Sequence, residues 1–201
     1  LILITPTWRK DVAAQYVFGE QRGYNPQFKN SAYFHIYNTL INDPRLLETA
    51  KQTGYRIMYL LHPATSSQLP DFEDNGYVEL VAAAGNMSYE KVLTEASLMV
   101  TDYSGVQFDF AYQRKPLVYY HPDALPPHYE EGGLIYDTMG FGPICKNNDE
   151  IVETLCQYMK SGCKMQPEYV KRADDFFAFN DFNNCERIYH AVEDMLADSN
   201  S

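Results

Sequence analysis

Five short stretches constrain this chain most: residues 1–5 (LILIT), 55–61 (YRIMYLL), 78–82 (VELVA), 98–101 (LMVT) and 116–120 (PLVYY). They are apolar almost throughout instead of alternating with polar residues. A strand with one face in water alternates, whereas a strand covered on both faces does not. The chain between them has helical length and spacing. Ser31 stands as an N-cap for a helix to residue 42, with Tyr33, Ile36, Tyr37, Leu40 and Ile41 on one face. Pro44 suits a first helical turn, and Gly54 suits the end of the helix that follows. Ser88 opens a helix to residue 96, and residues 105–114 make the next. An amphipathic helix is expected over 149–161, with two more over 167–178 and 183–196. Residues 11–26, 64–76 and 121–133 carry the glycines and prolines of loops. Strands alternating with helices predict an α/β fold, a doubly wound, Rossmann-like parallel sheet, formed by residues 1–201 as a single domain.

Composition narrows the partners. A formal net charge of -11, from 16 basic and 27 acidic residues, argues against nucleic-acid binding, which draws on a basic surface. A local phosphate site needs only a few donors and is compatible with that charge. Cys145, Cys156, Cys163 and Cys185 fit no CxxC spacing and read as reduced thiols of a cytosolic chain. No apolar run reaches the length of about 18 residues that a membrane-spanning helix requires. The chain opens on a strand without a methionine, which reads as a fragment of a longer protein. Asp71 and Asp74 read as solvated loop acids, and no metal site is expected.

A doubly wound sheet places ligands beyond the carboxyl ends of its strands. The residues there are polar: Thr5, Thr7 and Arg9 after the first strand, His62 after the second, residues 85–88 (GNMS) after the third. Asp102, Tyr103, Ser104 and Gly105 follow the fourth, and His121 follows the fifth. Such a set suits a phosphorylated ligand. Ser104 and Gly105 precede a helix, where backbone N–H groups lack partners and the dipole favours an anion. The alternative is a plain cap by Asp102 or Ser104. His62 reads either as a structural histidine or as a group that polarises a phosphate or acts as a base. Arg9 reads either as a surface arginine or as a fork onto phosphate. His121 and His128 read as structural. Arg187, on the first turns of the last helix, opposes the helix dipole. An ion pair with Asp181 or Glu186, or a binding role, would offset that cost.

The strings TPTWR, LLHP, ASLMVTDYSGVQFDFAYQRKPLVYY and FNDFNNCERIY occur in that order. Together they resemble the CDP-glycerol glycerophosphotransferase family, the teichoic acid and capsule polymer polymerases, over almost the whole chain. The resemblance implies one half of a GT-B architecture, the C-terminal donor-binding domain, with an N-terminal acceptor-side domain missing. It implies a CDP-glycerol or related CDP-alditol donor and a lipid-linked glycan or polyol-phosphate acceptor, with CMP released. It implies work in the cytoplasm, at the inner face of a bacterial plasma membrane in the full-length protein. His62 and Arg9 match the catalytic histidine and arginine. Thr7, Thr101, Asp102, Ser104, Gly105, Asp109, Asp181 and Arg187 match donor-binding positions. Two departures stand out: Gly105 replaces a second serine, and Lys91 stands where members often carry a histidine. A GT-B glycosyltransferase taking a UDP-sugar and a non-catalytic nucleotide-binding module are the alternatives. A divalent metal requirement is left open.

Overall fold

The computed structural model describes residues 1–15, 18, 22–83, 88–128 and 132–198. The apolar runs form strands β1 (Ile2–Ile4), β2 (Ile57–Leu61), β3 (Val78–Ala82), β4 (Leu98–Thr101) and β5 (Leu117–Tyr120). A sixth, β6 (Ile144–Cys145), has only two residues. All pairings are parallel and the order is β3-β2-β1-β4-β5-β6. The helices are α1 (Ala32–Ile41), α2 (Pro44–Thr53), α3 (Tyr89–Glu95), α4 (Val106–Tyr112), α5 (Tyr136–Met139), α6 (Asn148–Lys160), α7 (Pro167–Phe176) and α8 (Asn184–Asp198).

The lack of alternation along the strands has the expected cause. Ile2, Ile4, Tyr59, Val100 and Tyr120 point into one core, filled from the other side by Tyr37 and Leu40 of α1, Leu46 of α2 and Leu155 of α6. Leu3, Leu60, Met99 and Leu117 point into a second core, closed by Val92 of α3, Phe110 of α4 and Ala173 of α7. Successive side chains of a strand face opposite ways, so the inner strands must be apolar on both faces to serve both layers, whereas the edge strand β3 carries the partly exposed Glu79.

The punctuation residues act as their chemistry requires. The Ser31 hydroxyl accepts from Phe34 N at 3.1 Å, and the Ser88 hydroxyl caps α3 by accepting from Lys91 N at 3.2 Å. Pro44 opens α2, and Gly54 closes it with φ of 77°, a left-handed conformation that favours glycine. Residues 64–76 differ from the expected loop, because Pro63–Asp71 winds as 3-10 helix. Asp71 is buried there and accepts from Tyr24 Oη at 2.7 Å, so it is not a solvated acid. All four cysteines are free thiols. Among the described residues no helix is long and apolar enough to cross a membrane. The apolar residues of α8, including Ile188, Val192, Met195 and Leu196, remain exposed.

Candidate functional site

The strand order reverses direction between β1 and β4, which lie side by side at the centre of the sheet. Their carboxyl-end loops diverge there and leave a crevice. The loop after β1 and the turn after β4 are tied together by one buried carboxylate. Asp102 Oδ1 accepts from Thr7 N at 2.8 Å and from Tyr103 N at 2.7 Å, while Oδ2 pairs with Arg9 Nη2 at 3.0 Å. Thr101 Oγ1 donates to Thr5 O at 3.0 Å across the same seam. Asp102 is fully buried and Arg9 nearly so. Both residues therefore lock the two loops into one rigid rim. The expectation that Arg9 is a surface residue fails.

A cavity of about 420 Å³ opens on this rim, with Thr7, Trp8, His62, Ser104 and Gly105 in its wall. His62 leaves the end of β2 and its Nδ1 accepts from Ala64 N at 3.1 Å. The neutral ring therefore carries its proton on Nε2. Burial pushes the His62 pKa below its ordinary value, which favours that neutral form. Its ring stacks on Trp8, with centroids 6.0 Å apart. The turn after β4 resolves the choice between cap and open N-terminus. Gly105 stands at the N-cap of α4 and no side chain caps the helix. Asp102 cannot serve, because its oxygens are taken. A methyl group added at Gly105 would meet nothing within 4 Å. Three buried polar atoms on the rim, Thr7 Oγ1, Arg9 Nε and Arg9 Nη1, have no hydrogen-bond partner among the described residues.

The remaining expected residues sit elsewhere. Thr101 and Asp102 lie beneath the rim and support it. Asp109 is exposed on α4 and lines a different cavity of about 470 Å³, beside Tyr112, Phe179, Phe182 and Asn184. Asp181 and Arg187 adjoin that cavity. They form an ion pair, Tyr112 Oη donates to Asp181 O, and the Arg187 guanidinium lies 3.8 Å from the Phe179 ring centroid. The Arg187 side chain holds the Asp181 carboxyl below its ordinary range. Both partners are partly exposed, so the pair offsets the helix-dipole cost and adds little beyond it. Lys91 is exposed on α3 and faces Glu95 at 4.0 Å. Of residues 85–88, the first three lie outside the described residues.

A third cavity, of about 760 Å³, lies at the carboxyl ends of β4, β5 and β6 and shares Tyr103 with the first. His121, read from sequence as structural, stacks on Tyr103 with centroids 4.4 Å apart and planes 4° apart. Its Nε2 donates to Asp102 O at 3.1 Å. Tyr136 stands edge-on to both rings. Burial pushes His121 and His128 below the ordinary histidine value. The sequence places Trp8, Tyr103 and His121 at strand ends but does not show that the last two stack with Tyr136 beside them or that Trp8 walls the first cavity.

A six-stranded parallel sheet with polar loops gathered at its switch point defines a doubly wound α/β domain. The chain belongs to the CDP-glycerol:poly(glycerophosphate) glycerophosphotransferase family, whose profile matches residues 1–194. It is 43% identical over 195 residues to the minor teichoic acid biosynthesis protein GgaB of Bacillus subtilis (strain 168), covering 96% of this chain and 21% of that protein. The fold is similar to the solved wall teichoic acid polymerase TagF, with a TM-score of 0.60 and 17% identity over 98% of this chain and 44% of that one. It is similar to a substituted form of TagF with CDPG, with a TM-score of 0.59 and 18% identity over 100% of this chain and 42% of that one. The chain thus spans about a fifth of GgaB and less than half of the polymerase. Both relatives are named as proteins of teichoic acid synthesis.

Proposed function

We infer that this chain is the donor-binding half of a two-domain GT-B enzyme that transfers glycerol phosphate, or a related alditol phosphate, from a CDP-linked donor. The acceptor is a lipid-linked glycan or polyol phosphate, and CMP leaves. The observation that carries the reading is the rim cavity, where Thr7, His62, Ser104 and Gly105 meet in a member of this family. Phosphoryl transfer asks a protein mainly for positioning and charge stabilisation. The residues here supply both. The Ser104 hydroxyl and the uncapped start of α4 face the diphosphate, and the bare Gly105 lets it come close. Neutral His62 offers Nε2–H as a donor to a phosphoryl oxygen. Its Nδ1 is committed to Ala64 N, so the ring is a stabiliser of developing charge and not the general base. The base that takes the acceptor hydroxyl's proton then belongs to the acceptor side. Arg9 acts as a positioning residue, holding the two loops through Asp102 while adding positive charge behind them.

Calorimetric titration with CDP-glycerol, CDP-ribitol, CMP and UDP-glucose tests this reading. Binding of the cytidine ligands alone is expected. Preference for UDP-glucose would instead make the chain a glycosyltransferase domain, and the proposed donor would be wrong.

A further inference from the structure

Trp8 is the only tryptophan of the chain, and its backbone is held on both sides. Its two neighbours, Thr7 and Arg9, both bind the Asp102 carboxylate, so this stretch of loop moves with the turn after β4. The indole packs against two further groups. The Arg22 guanidinium lies 4.9 Å from its centroid, and Arg22 Nη1 donates to Ala14 O at 2.6 Å, which ties that cation to the loop after β1. The His62 ring, at the end of β2, stacks on the indole with centroids 6.0 Å apart and planes 28° apart. Trp8 and His62 are both in the wall of the first cavity. The hydrogen bond from Ala64 N to Nδ1 selects the tautomer of His62, but one contact leaves the ring free to tilt about it. The stack supplies the second contact, and two contacts define a plane.

We propose that Trp8 is a positioning residue for His62: the indole, steadied by Arg22, fixes the plane of the imidazole so that Nε2–H meets a phosphoryl oxygen in one orientation. The proposal rests on the transfer reading above. It gives the loop after β1 a part in the chemistry although Trp8 itself carries no group that reacts. A small misplacement of a reacting or stabilising group costs about a hundredfold in rate, so a contact that only orients the ring is worth that much. The indole also shields His62 from water, in accord with the burial that lowers its pKa.

Two measurements test it. In long-range 1H–15N spectra of the 201-residue chain, His62 is expected to show a single Nε2-protonated tautomer, with a titration midpoint below 6.5. Trp8→Leu keeps apolar bulk but removes the aromatic face. It should mix the two tautomers and move the midpoint up toward 6.5, and Trp8→Phe should restore both. In the full-length enzyme Trp8→Leu should lower kcat by about a hundredfold while the Kd for CDP-glycerol stays within a few-fold. A merely structural tryptophan would leave the His62 nitrogens unchanged. That result in a folded Trp8→Leu chain would overturn the positioning role and leave the donor reading standing. Altered nitrogens with unchanged turnover would overturn both the positioning role and the part of His62 in transfer. Should Trp8→Leu fail to fold, the wild-type spectra decide: a mixed tautomer, or no NOEs between the indole and imidazole protons, would overturn the proposal.

Discussion

At the scale of single residues, the rim depends on which oxygen of Asp102 does what. Both backbone donors, Thr7 N and Tyr103 N, reach Oδ1, and only Arg9 reaches Oδ2. Asp102→Asn can keep Oδ1 for the two backbone groups, but it sets an amide N–H₂ against the Arg9 guanidinium and leaves a buried cation unpaired. Removing one partner of a buried pair typically costs about 3–5 kcal/mol. Denaturant unfolding should show a loss of that order, and a loss below about 1 kcal/mol would show that solvent reaches Arg9. Arg9→Met should cost less, because the carboxylate keeps its two backbone donors. His62 separates binding from chemistry. In the full-length enzyme, His62→Ala should abolish most turnover while CDP-glycerol affinity stays within a few-fold, since Nε2–H is most useful when charge develops in the transition state. Unchanged turnover would remove His62 from the mechanism.

At the scale of elements, two glycines make opposite predictions. Gly105 faces open space, so Gly105→Ala should fold normally and weaken CDP-glycerol by projecting a methyl group into the path of the diphosphate. Equal affinity would mean that the ligand does not approach the start of α4. Gly142 sits just before β6, where an added Cβ would fall 1.9 Å from Leu117 O of β5. Backbone atoms cannot give way there, so Gly142→Ala should lower the unfolding midpoint sharply without any role in binding. The contrast also shows what sequence reveals. The strand-end residues Thr7, His62 and Ser104 were legible because each lies within three residues of the end of an apolar run, and the topology of a doubly wound sheet brings such positions together. The Tyr103–His121 stack was not legible. The sequence puts Tyr103 and His121 at the ends of successive strands but does not show that their rings lie face to face, and β6 and α5 are too short, at two and four residues, to show any periodicity. Asp109, Asp181 and Arg187 were found by motif, but motif does not give location, and the fold sets them around a separate cavity.

At the scale of the whole molecule, the charged and titratable groups have a common geography. His62, His121 and His128 all lie along the carboxyl edge of the sheet, and burial lowers the pKa of each below the ordinary 6.5. For a histidine of this kind the unfolded chain binds its proton at higher pH than the folded one. Stability therefore rises with pH across the interval between the folded-state values and 6.5, is fully present above it, and is lost on acidification. The paired carboxylates, such as Asp43 and Asp181, have values pushed below the ordinary 3.8 and act only at lower pH, so the two effects fall in separate windows. The unfolding midpoint should be insensitive to these histidines from pH 7 to pH 8 and should fall below about pH 6.5. His121→Gln should flatten part of that fall, because an amide N–H can still donate toward Asp102 O without taking up a proton. A midpoint that rises on acidification through this window would mean that the rim stabilises charged histidines, and the neutral, Nε2-protonated His62 on which the proposed transfer rests would then be the minority form.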